Sequence, residues 1–286
     1  RQVSHIALKK NHHDRPLMTL LCLNRYLVLI SGLGLAEKAE SLLPFQLFVD
    51  YVSGFLGCDP DQEKAAKVVR VVIAGNVLKL KNCGKESSKA KFSARKESTA
   101  DASAARLLDD LLTQLASFVE VDLMSGDADP CSALLPQQPL HHCLVPCAVD
   151  SFSTLQCVTN PYMFDLDGVR ILGTSGQNLS DIGRYSCISQ PIEALAQTLE
   201  WRHLVPTAPD TLASYPFPDK DPFIMEQCPH IYFAGNQPKY TSKLLKGDEG
   251  QEVLLVTVPK FCESFSCIWI NLRSLECQPM VFEVDL

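Results

Sequence analysis

Apolar runs and helical periodicities alternate along this chain. Tyr26 to Ile30, Val68 to Ile73, Phe118 to Met124, Val169 to Leu172 and His230 to Phe233 are short, rich in β-branched or aromatic residues, and closed by turn signals. Such runs predict strands. Between the first two, Phe45, Phe48, Val49, Val52 and Leu56 recur at helical spacing, and between the second and third Ala104, Leu108, Leu111, Leu112 and Leu115 do the same. Ser103 or Asp101 is placed to cap this second helix, and Pro191 opens a further one carrying Ile192, Leu195, Ala196 and Leu199. The alternation reads as parallel α/β units. Toward the C-terminus strand follows strand, at Val253 to Val258, Cys267 to Asn271 and Val281 to Val284, which predicts an antiparallel edge or a second sheet.

Composition narrows the class. The 286 residues can bury a full core, and 46% hydrophobic content with ordinary Gly and Pro usage excludes wholesale disorder. A net charge of −7 argues against a surface built mainly to hold phosphate backbones. The basic segment Lys79 to Lys96 is the local exception, with seven Lys or Arg against one Glu; its single aromatic, Phe92, supplies no stacking pattern, and a solvated insertion is the favoured reading. The twelve cysteines include no Cys-x-x-Cys pair, and several sit in apolar runs, as reduced thiols do in a reducing compartment. His141, His142, Cys143 and Cys147 are the best local zinc candidates, but Pro136, Pro139 and Pro146 favour a solvated loop. No run reaches the ~18 apolar residues of a membrane span, since Asn24 and Arg25 break Leu17 to Ile30. Residues 1–24 match no recognisable unit, and a start at Arg1 suggests an absent upstream portion.

The turns after the five principal runs carry the candidate chemistry. They read Ser31-Gly32-Leu33-Gly34, Gly75-Asn76-Val77-Leu78-Lys79, Gly126-Asp127-Ala128-Asp129, Ser175-Gly176-Gln177-Asn178 and Gly235-Asn236-Gln237-Pro238. In open α/β folds ligands bind at the carboxyl ends of strands, so these turns are expected to converge on one crevice. Their order resembles the calcineurin-like phosphoesterase signature, in which Asp, His and Asn side chains at such ends hold two metal ions. Set against that signature, Gly32 and Gly34 stand where Asp-x-His is expected, Asn76 and Lys79 where the second motif has two Asp, and Ala128 where the third has His. Asp127, Asp129, Ser175, Asn236 and Pro238 occupy the remaining positions. The resemblance implies a scaffold of two packed sheets flanked by helices with its metal ligands lost, and hence neither bound metal nor cofactor.

Longer words point further. Pro136-Gln137-Gln138-Pro139-Leu140-His141, Thr159-Asn160-Pro161-Tyr162, Asp167 through Asn178 with Asp181-Ile182 and Arg184-Tyr185, Pro206 through Leu212, Leu254 through Pro259, and Asn271 through Leu275 with Cys277-Gln278-Pro279 resemble the small, non-catalytic B-subunit family of eukaryotic DNA polymerase delta. This resemblance covers most of the chain from Tyr26 onward. It implies a nuclear accessory subunit in DNA replication and repair synthesis, gripping the Cys-rich C-terminal domain of the catalytic subunit and docking further small subunits, with DNA met indirectly. Residues 25–286 would form the inactive phosphoesterase domain, and most of the family's oligonucleotide-binding barrel is missing.

The residues themselves also support structural roles. Asp167-Gly168 suits a tight hairpin, Asn178 or Ser180 a helix cap, and Asp181 with Arg184 a local ion pair. Two other functions stay open: a residual phosphoesterase using Asp127, Asp129 and His203, and a single-stranded nucleic-acid binder using Lys79 to Lys96.

Overall fold

A computed structural model describes residues 24–37, 42–79, 91–247 and 250–283, the side chains of 91–101 excepted. The chain runs β1 (Tyr26–Ile30), α1 (Leu42–Val52), α2 (Asp59–Ala65), β2 (Val68–Ala74), α3 (Lys91–Ala116), β3 (Glu120–Met124), α4 (Pro146–Ser151), β4 (Leu155–Val158) and β5 (Tyr162–Leu166). It continues through β6 (Val169–Thr174), α5 (Gln177–Tyr185), α6 (Pro191–Trp201), β7 (Ile231–Gln237), β8 (Thr241–Lys246), β9 (Glu252–Pro259), α7 (Phe261–Ser264), β10 (Ser266–Asn271) and β11 (Cys277–Val281).

Two sheets result, ordered β11-β10-β1-β2-β3-β4 and β5-β6-β7-β9-β8. Within the first, β1 through β4 are mutually parallel, as the intervening helices require, and β10 and β11 add an antiparallel edge. In the second, β6, β7 and β9 are parallel while β5 and β8 close the two edges antiparallel. The C-terminal strands thus divide between the sheets, β9 lying parallel inside the second and β10–β11 edging the first.

Alternation along each strand builds the layers. From β1, Val28 and Ile30 enter a core with Phe45 and Phe48 of α1 and Leu108 and Leu112 of α3. Leu27 and Leu29 point the other way, into an inter-sheet core with Val72, Met124, Phe233, Val256, Ile268 and Ile270. A third core lies beneath α5 and α6, where Leu179, Ile182, Leu195 and Leu199 meet Tyr232 and Leu255. The architecture is therefore helices, sheet, sheet, helices. Strands buried on both faces explain why their sequences are unbroken apolar runs.

Several local expectations are revised. β4 and β8 carry no strong apolar run, the Tyr162-Met163-Phe164 run of β5 is only partly buried, and β8 is almost wholly exposed; all three stand at sheet edges, where a strand need bury only one face. The last strand ends at Val281 and contains Pro279, which an edge tolerates. Helix α3 starts at Lys91, so Ser103 lies well inside it rather than at its N-terminus; the Asp101 side chain is outside the described residues. Leu56 falls beyond α1 and is 40% exposed. Neither Asn178 nor Ser180 caps α5: its N-cap is Gly176 in the left-handed region, and Asn178 donates to the Leu204 carbonyl. Asp181 is buried and accepts from Thr211 at 2.5 Å, and no Asp181–Arg184 ion pair forms among the described residues. As expected, Asp167 and Gly168, with φ of 51° and 78°, make the β5–β6 hairpin turn, and Pro191 begins α6. No described helix is long and apolar enough to cross a membrane.

Candidate functional site

The turns after β1, β2, β3 and β6 meet a kink in β7 where the two sheets come together. The fifth segment is not a turn, because β7 continues to Gln237 through a register shift at Gly235 and Asn236. Between β1 and β2 the backbone pairing extends past the strands. Gly32, Gly34, Leu35 and Ala36 donate in succession to the carbonyls of Gly75, Asn76, Val77 and Leu78 at 2.9–3.1 Å. Approach is close enough to exclude side chains: a Cβ on Gly126 would stand 2.3 Å from the Asn76 nitrogen, and one on Gly176, at φ 90°, 2.0 Å from the Gly235 carbonyl. What the sequence leads one to expect as an open crevice is filled by backbone and amide groups.

Asp129 ties two of the turns together. Its carboxylate accepts from the backbone N–H of Leu78 and of Gly126, each at 3.0 Å, and is 3% exposed. Burial pushes the carboxyl above its ordinary range, and the surrounding backbone N–H groups pull it part of the way back. Asn76, with φ 55°, turns its Oδ1 onto the Ala128 N–H at 3.0 Å, so Ala128 contributes only backbone where a histidine ring is expected from the signature. Asp127 faces solvent.

On the side of the second sheet three amides interlock. Asn160 Nδ2 reaches Gln137 Oε1, Ser175 Oγ and Gln177 Oε1 at 2.7–2.9 Å, while its Oδ1 accepts the Ser175 N–H at 3.1 Å. Gln137 Nε2 donates to the carbonyls of Gly126 and Ser132, and Gln177 Nε2 donates to Gln137 Oε1. Asn236 links both sheets, its Nδ2 donating to the carbonyls of Ala74 and Ser175 and its N–H to Ser31 Oγ, at 2.9–3.0 Å. Pro238 is exposed. Lys79 pairs with Glu37, and that contact is the largest influence holding its ammonium above the usual value.

Sequence reasoning brought Gly32, Gly34, Asn76, Ala128, Asp129, Ser175 and Asn236 to this junction, with Gln177 inside one of the converging turns, but missed Gln137 and Asn160 as members. Both lie inside the long words singled out above; their side-chain pairing has no local signal. His203 is placed elsewhere, 2.8 Å from Asp221 where residues 202–204 pair with 223–225. His141, of the zinc candidate, accepts from Cys143 N and opens a short 3-10 turn. The basic segment from Leu80 to Ala90 lies outside the described residues, as do the side chains onward to Lys96.

A two-metal centre needs several anionic or imidazole donors with free lone pairs. The junction offers neutral amides bound to one another or to backbone groups, one carboxylate engaged by N–H groups and one neutral acceptor without a partner, Asn236 Oδ1, and among the described residues no three His, Cys, Asp or Glu side chains are grouped to hold a metal. The residues present do not fit such a centre. Nor do they include a base and nucleophile in hydrogen-bonding register.

Residues 27–242 match the family described as the DNA polymerase alpha/epsilon B subunit, and the chain belongs to that family. Within it the chain is 45% identical over 263 residues to the DNA polymerase delta small subunit of Arabidopsis thaliana, covering 92% of this chain and 59% of the relative. It is 43% identical over 272 residues to the protein of the same description in Oryza sativa subsp. japonica, covering 94% and 62%. DNA polymerase delta subunit 2 of Drosophila melanogaster is 38% identical over 262 residues, covering 92% and 60%. The chain thus spans 59–62% of the length of these relatives. Among solved structures, one titled as a novel archaeal phosphodiesterase has a TM-score of 0.45 at 9% identity, covering 90% of this chain and 99% of that one, a likeness too weak to assign the fold.

Proposed function

We propose that this chain acts as a non-catalytic accessory subunit of DNA polymerase delta, built on a calcineurin-like phosphoesterase scaffold whose metal ligands have been replaced. The carrying observation is the amide junction: Gln137, Asn160, Gln177 and Asn236 hydrogen-bond between the two sheets and Asn76 ties the turns after β2 and β3, where a hydrolase would need anionic ligands. Membership of the polymerase B-subunit family and identity to relatives described as delta small subunits support the same reading. Residues 25–286 form the phosphoesterase-like domain, residues 1–24 are left unassigned, and Gly32, Gly34, Asn76, Lys79, Asp127, Ala128, Asp129, Ser175, Asn236 and Pro238 mark the vestigial ligand positions. The partners are the Cys-rich C-terminal domain of the catalytic subunit and further small subunits, in the nucleus, with DNA met through the complex.

Co-expression with that C-terminal domain tests the reading: a stable complex is expected to co-purify, and loss of the domain during size exclusion at micromolar concentration would overturn it. Manganese-dependent release of nitrophenol from bis(nitrophenyl) phosphate, abolished by Asp129→Ala in a still-folded chain, would restore the enzyme reading instead.

A further inference from the structure

Residues 206–229 present a surface that the junction does not use. Tyr215 and Phe217 are 57% and 46% exposed, yet they hold each other edge to face with ring centroids 5.3 Å apart. Pro216 and Pro218 flank Phe217 and restrict the backbone between and after the two rings. The segment is anchored as well as stiff. Leu135 N–H donates to the Ala213 carbonyl at 3.0 Å and Tyr215 N–H to the Leu135 carbonyl at 2.8 Å, which sets the aromatic pair beside a segment carrying Leu134, itself 40% exposed. Exposed aromatics on a restrained backbone lose little conformational entropy when a partner covers them, as is typical of binding hot spots.

The charge around them selects the partner. Among residues 206–229 the side chains charged at neutral pH are Asp210, Asp219, Lys220, Asp221 and Glu226, four acids against one base, and all five are exposed. Nucleic acid and anionic membrane are disfavoured by that balance, whereas a cationic polypeptide is steered toward it. We propose that the Tyr215–Phe217 surface docks a Lys- or Arg-bearing segment of the polymerase catalytic chain, an apolar anchor of that segment covering the two rings and its cations facing Asp210 and Asp219. This inference rests on the accessory-subunit reading above and names the surface on which the partner sits.

The test uses the whole 286-residue chain and the catalytic subunit's C-terminal domain, with affinity followed by interferometry at two salt concentrations. Tyr215→Ser/Phe217→Ser is expected to weaken the complex by about 10-fold or more, as loss of an aromatic anchor does. Asp210→Lys/Asp219→Lys is expected to slow association and to flatten the salt dependence. Each altered side chain is exposed, and an unchanged melting temperature is required of both variants before binding is read. Wild-type affinity and salt dependence in both variants would overturn the inference while leaving the accessory reading standing. Failure of the wild-type chain to bind overturns both. A mass that rises with concentration in light scattering, and is reduced by Tyr215→Ser/Phe217→Ser, would overturn it in favour of a second copy of this chain.

Discussion

Removing the Asp129 carboxylate separates a structural junction from a catalytic one. Two backbone donors, the N–H of Leu78 and of Gly126, lose their acceptor, and both approach it at 3.0 Å in a fully buried site. Each orphaned buried donor costs about 1–3 kcal/mol, and release of the carboxylate's own burial penalty returns part of that, so Asp129→Ala is expected to destabilise by about 2–4 kcal/mol against a total of about 5–15 kcal/mol. Asp129→Asn keeps one acceptor oxygen and is expected to cost about half as much. Urea titration followed by far-ultraviolet circular dichroism measures both. The pH dependence adds a signed check. Because burial raises the native carboxyl above its unfolded value, the native state binds this proton more tightly. The contribution is fully present below the unfolded value and is lost as pH rises through the raised native one. The stability of wild type minus that of Asp129→Asn should therefore decline as pH rises across the raised native value. A flat or rising difference, or an Asp129→Ala variant as stable as wild type, would refute the reasoning.

Other perturbations contrast buried with exposed roles. Arg70 bridges Asp122, which is 1% exposed, and Glu120, whose side chain is 52% exposed. Arg70→Ala leaves the buried Asp122 without its cation, with the Tyr162 hydroxyl still bonded to it, and should cost about 3 kcal/mol in urea titration, whereas Glu120→Gln should cost no more than about 1 kcal/mol. Gly126→Ala drives a methyl against Asn76 and is expected to lower stability by about 2 kcal/mol or more. Gly168→Ala meets open space and bears only the strain of its φ of 78°, about 1 kcal/mol, so the two should separate clearly in melting temperature. Arg25→Ala removes an exposed pair with Asp167 at 2.7 Å; the loss should stay below about 1 kcal/mol and shrink further in molar salt.

The chain by itself determined the features that depend on near neighbours. Apolar runs buried on both faces marked β1, β2, β3, β6 and β7, and Phe45, Phe48 and Val49 marked α1, because burial imposes the repeat of the local backbone. Turn glycines were legible for the same reason: the backbone at Gly75 and Gly176 takes positive φ, which a residue without a Cβ adopts at no steric cost. The quoted words carried the family. Tertiary structure alone decided what those turns do together. Ser31 meets Asn236 across 205 residues, Asn76 meets Ala128 across 52 and Gln137 meets Gln177 across 40, and no periodicity encodes such pairings. It also decided the edges, since the polar β8 and the short β4 are strands only because a neighbour offers free backbone N–H and C=O groups. A polar side chain pairs by reach and direction in three dimensions; for that reason Asn160 was visible as part of a family word and invisible as the centre of a junction.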